Sequence, residues 1–134
     1  DNNVFANLAG IAGHVSIGNN VNVGAITTVH QFCKMGDFSF AGMNTSITMD
    51  VPAFVKVASD PARVIGLNSI GMKRNNISEE SISLMKKAYK LLYRKNLKIE
   101  EAIKEIKELH SVSSDSCLET FISSIEVSER GILR

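Results

Sequence analysis

A chain of 134 residues, 44% of them hydrophobic, suits one folded domain or one small architecture with an appendage, and is too apolar for a disordered chain. No apolar run approaches the roughly 18 residues that cross a bilayer, and no charged stretch followed by an apolar one opens the chain as a secretory signal would. The net charge of +1 conceals three blocks: one base and three acids over 1–52, ten bases and three acids over 53–98, and four bases and eight acids over 99–134. Cys33 and Cys117 stand outside any CxxC or metal-like pattern, which predicts two buried, reduced thiols and a cytoplasmic location.

The first element is a repeat of six. From Phe5 the chain reads FANLAG, IAGHVS, IGNNVN, VGAITT, VHQFCK, MGDFSF, AGMNTS, ITMDVP. The first position is apolar in all eight hexads (Phe5, Ile11, Ile17, Val23, Val29, Met35, Ala41, Ile47), and the second is small in all but His30. The fifth position is small or β-branched throughout. This spacing predicts a parallel β-helix of triangular section over 1–52. Each hexad gives one short strand and one corner, and three hexads close a coil of 18 residues, so about 2.7 coils are present. First and fifth residues point inward, and residues one coil apart stack about 4.8 Å from each other. Asp1-Asn2-Asn3-Val4 echoes Gly18-Asn19-Asn20-Val21, so the chain is expected to open inside a hexad, as a fragment of a longer solenoid.

After Pro52 the repeat is read as ending. Residues 53–65 are expected to form an extended connection with a turn at Asp60-Pro61, and 66–134 a C-terminal α-helical domain. Gly66–Arg74 is a candidate short helix. Ser78 is a predicted N-cap, with Glu79 and Glu80 in the first turn and Ile82, Met85, Ala88, Tyr89, Leu92 and Tyr93 at helical spacing. Two more helices are predicted, from about Ile99 to His110 and from about Asp115 to Ile125. The fold class is therefore mainly β and then α, with the helices capping the solenoid.

His14 is fourth in its hexad and His30 second in its own, both at corners, where side chains point outward. An imidazole there can be a general base, a hydrogen-bond donor to a sugar, or polar surface. His14, His30 and His110 lack ligand spacing and have no carboxylates clustered with them, so no metal site is expected. Met43 is third in its hexad, above Ala25 and Asn7, in a row that should face outward along a groove.

The strings Leu8-Ala9-Gly10-Ile11-Ala12-Gly13-His14-Val15 and Thr28-Val29-His30-Gln31-Phe32-Cys33 resemble two segments of the UDP-N-acetylglucosamine acyltransferase family. So do Asp50-Val51-Pro52, Gly66-Leu67-Asn68, Gly71-Met72-Lys73-Arg74, Ala88-Tyr89-Lys90-Leu91-Leu92-Tyr93-Arg94 and Arg130-Gly131-Ile132-Leu133-Arg134. The matches keep order and spacing along the whole chain, which resembles the carboxy-terminal half of such a protein. The resemblance implies a left-handed β-helix, a homotrimer with active sites between subunits, and transfer of a β-hydroxyacyl group from acyl carrier protein to the glucosamine 3-position of UDP-N-acetylglucosamine.

It implies an oxyanion role for the Gly13 N–H, sugar and acyl contacts for His14, His30 and Gln31, and nucleotide contacts for Asn68 and Arg74. The Met43 slot lies along the acyl groove as a ruler of chain length. The basic row Lys86, Lys87, Lys90, Arg94 and Lys95 is expected to dock the acidic carrier. No cofactor, nucleic acid or membrane span is expected. The family's general-base histidine matches neither His14 nor His30 and falls before Asp1. Asn75 replaces a frequent second arginine, and Ile70 stands where an acid can occur. A related N-acyltransferase and a non-catalytic trimeric scaffold remain the competing readings.

Overall fold

A computed structural model describes all 134 residues. Eight two-residue strands come first: β1 Val4–Phe5, β2 Gly10–Ile11, β3 Ser16–Ile17, β4 Asn22–Val23, β5 Thr28–Val29, β6 Lys34–Met35, β7 Phe40–Ala41 and β8 Ser46–Ile47. They form the three faces of a parallel solenoid, with β1-β4-β7 on the first, β2-β5-β8 on the second and β3-β6 on the third. Partners such as Val4 and Asn22, or Thr28 and Ser46, lie one full coil of three hexads apart. First- and fifth-position residues fill the interior: Val21, Val23, Thr27, Val29, Cys33, Ser39, Ala41, Thr45 and Ile47 are at most 1% exposed.

The fourth position carries the turn. Leu8, His14, Asn20, Ile26, Phe32, Phe38 and Asn44 all have φ between 54° and 66°, and each breaks the strand direction at a corner. One coil lies so close on the next that a Cβ on Gly24 would stand 2.6 Å from the Gly42 carbonyl carbon, so only glycine fits there.

The opening residues follow the spacing of a full coil, not the echo of Gly18–Val21 that the sequence suggested. Asn20 N–H donates to the Asp1 carbonyl at 2.8 Å, and Val21 N–H to Asn3 Oδ1 at 2.8 Å. Asn3 therefore occupies the interior slot under Val21.

The solenoid also continues beyond Pro52, but one coil is short. Val51 pairs with Met35 and Lys56 with Phe40, each closer in sequence than a full coil. Two residues are missing between Ile47 and Val51, after which Val51, Val55 and Val57 resume the inward positions at no more than 2% exposure. Strand β9, Val55–Ala58, extends the first sheet, and β10, Arg63–Leu67, pairs antiparallel with it. The stretch 53–65 thus contributes strands to the solenoid as well as the turn at Asp60-Pro61. Phe54, at φ 66°, stacks on Phe38 with ring centroids 5.3 Å apart.

Four helices follow: α1 Ser69–Arg74, α2 Glu79–Tyr93, α3 Ile99–Ser113 and α4 Ser116–Glu126. Helix α1 starts later than Gly66 because Gly66 and Leu67 end β10 and Asn68 is the N-cap, its Oδ1 accepting from Gly71 N–H. Ser78 caps α2 as its sequence indicates, and Asp115 caps α4 by accepting from Leu118 N–H at 3.0 Å. The apolar stripes meet in a core containing Met72, Met85, Leu92, Ile106, Leu118 and Phe121. Both cysteines are buried and unpaired. Burial pushes the Cys33 thiol up against the opposing pull of the Arg130 guanidinium, and burial likewise raises that of Cys117, with the Asp115 carboxylate adding to it.

The chain end repairs the short coil. Asp50 N–H donates to the Gly131 carbonyl at 3.0 Å and Leu133 N–H to the Asp50 carbonyl at 2.8 Å, a parallel bridge between Asp50 and Ile132. The Asp50 carboxylate, 2% exposed, accepts from Lys34 N–H at 2.8 Å and from the Ser128 hydroxyl at 2.6 Å. Arg130 donates twice to the Thr48 carbonyl, and Gly131 takes φ 95° to make the bend.

Candidate functional site

The two histidine strings meet at the corner between the second and third faces. Ala12, His30 and Thr48 share the second hexad position in successive coils, Gly13 and Gln31 the third, and His14 and Phe32 the fourth. All seven side chains or positions are exposed. The His14 imidazole lies parallel to the Phe32 ring, with centroids 5.0 Å apart and 5° between planes. Phe32 N–H donates to the Gly13 carbonyl at 3.2 Å, which fixes the peptide entering His14. The Gly13 N–H itself donates to no group, and a Cβ at Gly13 would meet nothing within 4 Å. This corner therefore presents a free backbone donor beside His14 in its own coil and His30 in the next. An exposed N–H of this kind can receive the charge that develops on a carbonyl oxygen in acyl transfer.

His30 opens onto a cleft of about 390 Å³ on the second face, with Gly10, Ile11, Ser46 and Thr48 among its walls. Met43 stands at the opposite edge of that face, between β7 and β8, and is 69% exposed. The exposed apolar residues Leu8 and Ile26 share its corner, as Phe32 does the histidine corner.

Asn68 and Arg74 line a different cleft, of about 570 Å³, on the first face with Asn22, Phe40, Lys56 and Asn75. The Asn68 amide is largely committed to structure, donating to the Phe38 carbonyl at 2.8 Å and accepting from Gly71 N–H. Arg74 is exposed at the end of α1. One copy of the chain therefore does not bring His14 and His30 into the same cleft as Asn68 and Arg74. Lys86, Lys87, Lys90, Arg94 and Lys95 are all exposed on α2 and just past its end. None is in an ion pair, since the chain's only one joins Lys107 to Glu126 at 2.9 Å.

Two residues, one at the histidine corner and one in the first-face cleft, escaped the sequence reading. Phe32 lay inside the VHQFC string, and its place one coil above His14 was the available signal. Lys56 had none, because the short coil that puts it on the first face is invisible to a repeat of six.

A family model described as Udp N-acetylglucosamine O-acyltransferase; Domain 2 matches residues 50–133. The acyl-[acyl-carrier-protein]--UDP-N-acetylglucosamine O-acyltransferase of Stutzerimonas stutzeri is 41% identical over 131 residues, covering 98% of this chain and 50% of that protein. The equivalent from Herminiimonas arsenicoxydans is 40% identical, covering 100% of this chain and 52% of that protein. Among solved structures, the UDP-N-acetylglucosamine O-acyltransferase of Moraxella catarrhalis superposes with a TM-score of 0.94 at 40% identity, over 99% of this chain and 51% of that one. The UDP-N-acetylglucosamine acyltransferase of Arabidopsis does so at 0.92 and 31%, over 100% of this chain and 49% of that one. The chain spans about half the length of the curated relatives it matches. The fold shared with these structures is the left-handed parallel β-helix with a helical tail that the resemblance implied. With the family model matching most of the chain and relatives at 40% identity matching nearly all of it, the chain belongs to the UDP-N-acetylglucosamine O-acyltransferase family.

Proposed function

We propose that this chain is the carboxy-terminal half of an enzyme that moves a β-hydroxyacyl group from acyl carrier protein to the glucosamine 3-hydroxyl of UDP-N-acetylglucosamine, the first step of lipid A synthesis. The observation that carries this reading is the free Gly13 N–H at the exposed corner that also presents His14 and His30. Gly13 receives the oxyanion there, while His14, His30 and Gln31 hold the sugar and the acyl head by in-plane hydrogen bonds. Asn68 and Arg74 hold the nucleotide, Arg74 with a charged fork suited to a diphosphate. The enzyme works as a cytoplasmic homotrimer. Support for a second copy comes from the separation of the two clefts onto different faces, and from the exposed apolar corners at Leu8, Ile26, Phe32 and Met43. No helix is long and apolar enough to cross a membrane.

The test is an assay of the full-length protein with a ladder of β-hydroxyacyl carrier proteins and UDP-N-acetylglucosamine. The expected product is a base-labile ester. An amide formed on an amino-sugar nucleotide would replace this reading with that of an N-acyltransferase, and no transfer at all would favour a scaffold. In the same assay Met43→Gly is expected to lengthen the preferred acyl chain. Each methylene that the methionine excludes is worth about 0.8 kcal/mol of burial, so a few carbons are enough to set the preference. An unchanged preference would mean that Met43 swings aside and is not the ruler.

The row on α2 docks the carrier. Charge reversal at Lys87 and Lys90 together is expected to weaken carrier binding by roughly tenfold, with the difference shrinking as salt rises. Binding that is unchanged at low salt would assign the row to a solvated face.

A further inference from the structure

The cleft on the first face contains no acid. Lys56 and Arg74 are the only charged residues among the twelve that line it, and neither is in an ion pair. Every other polar side chain there is an asparagine amide. Two unpaired cations in an acid-free cavity of about 570 Å³ describe a site for an anion with two charged groups.

Lys56 reaches this cleft through the short coil. It is the last of the outward row Val4, Asn22, Phe40 and Lys56, each one coil above the one before. Its ammonium lies over the Phe40 ring, with Nζ 5.8 Å from the ring centroid, and the side chain is half-buried. The ring contact limits the conformations of a side chain that would otherwise lose much entropy on binding. Asn75, directly after Arg74, is neutral and cannot supply the second charge, and one of its amide hydrogens is donated to the Gly71 carbonyl at 2.8 Å, closing α1. Ile70, exposed on the same wall, brings no opposing charge.

We propose that Lys56 is the second cation of a nucleoside diphosphate site, sharing the two phosphates with Arg74. The proposal rests on the nucleotide reading of this cleft given above. Arg74 presents a planar fork to one phosphate, and Lys56 a compact ammonium to the other or to the oxygens between them. The competing role for Lys56 is purely structural, its methylenes covering Phe40.

Calorimetric titration of the chain with UDP and with uridine separates the two. Lys56→Gln removes the charge and keeps the first two methylenes of the stem at a half-buried position, so the fold is expected to stay as it is, which an unchanged melting temperature checks. The variant is expected to bind UDP about tenfold more weakly, the usual order for a lost contact to a charged group, and uridine as before. Lys56→Arg is expected to keep most of the UDP affinity, and Arg74→Gln to lose at least as much as Lys56→Gln. If Lys56→Gln binds UDP like the wild type while Arg74→Gln does not, Lys56 only covers Phe40 and the nucleotide reading stands. If neither variant changes UDP affinity, or the wild type shows no saturable binding at millimolar UDP, the cleft is not the nucleotide site and both ideas fail.

Discussion

A chain ending at Val127 is expected to lose most of its resistance to urea. Residues 128–134 are the only partners that Asp50 has in place of the coil neighbours removed by the two missing residues. Without them the Asp50 N–H and carbonyl lose both bridge bonds, and its carboxylate keeps only Lys34 N–H. Ile132 and Leu133, 5% and 9% exposed, leave the core at roughly 2 kcal/mol each. The Tyr93 hydroxyl loses its acceptor on Leu133, and Arg134 no longer spans the Leu92 and Leu97 carbonyls at the end of α2. Burial, with the neighbouring Tyr89 adding to it, pushes the Tyr93 phenol well above its ordinary range, so it stays a neutral donor in that contact. The summed loss, on the order of 5 kcal/mol, is comparable with the whole stability of a small domain. Ile132→Ala, which leaves the backbone strap intact, is expected to cost about 2–4 kcal/mol. Urea unfolding followed by far-UV circular dichroism measures both, and a midpoint unmoved by the truncation would show that the solenoid closes without its strap.

The purified 134-residue chain is expected to transfer acyl groups more slowly than a full-length relative by a factor on the order of 10² to 10⁴, the usual contribution of a positioned general base. It has three histidines. His14 and His30 stand at the corner with Gly13, where the resemblance gives them binding roles, and His110 sits near the end of α3 in the helical domain. The loss should appear in kcat with UDP-N-acetylglucosamine binding largely kept, because the cleft proposed for the nucleotide and the Gly13 corner are both present. Equal rates from the two proteins would make His14 or His30 the base.

How far the residues alone carried the reading varies along the chain. The hexads gave the solenoid over 1–47 because the repeat is a local rule: one inward residue and one small residue per turn suffice to set each strand. Ser78, with Glu79 and Glu80 behind it, marked the start of α2 for the same reason, since a cap acts within a single helical turn. The frame failed at ITMDVP. Val51 suits the fifth position of a hexad as well as the first, so the loss of two residues left no mark in the composition of the repeat. With the frame lost, β9 read as a connection and Lys56 could not be placed beside Arg74.

By itself, then, the sequence determined the coil, the amphipathic helices and the outward placement of His14, His30 and Met43. All of these depend on contacts spaced by one helical turn, one hexad or one coil. Only the tertiary structure decided the rest. Asp50 meets Ile132 from the far end of the chain, and Lys56 shares a cleft with Arg74 because the short coil shifts it into the row above Phe40. Neither contact repeats, and each is fixed by which backbone groups the short coil leaves unpaired and which segment can reach them.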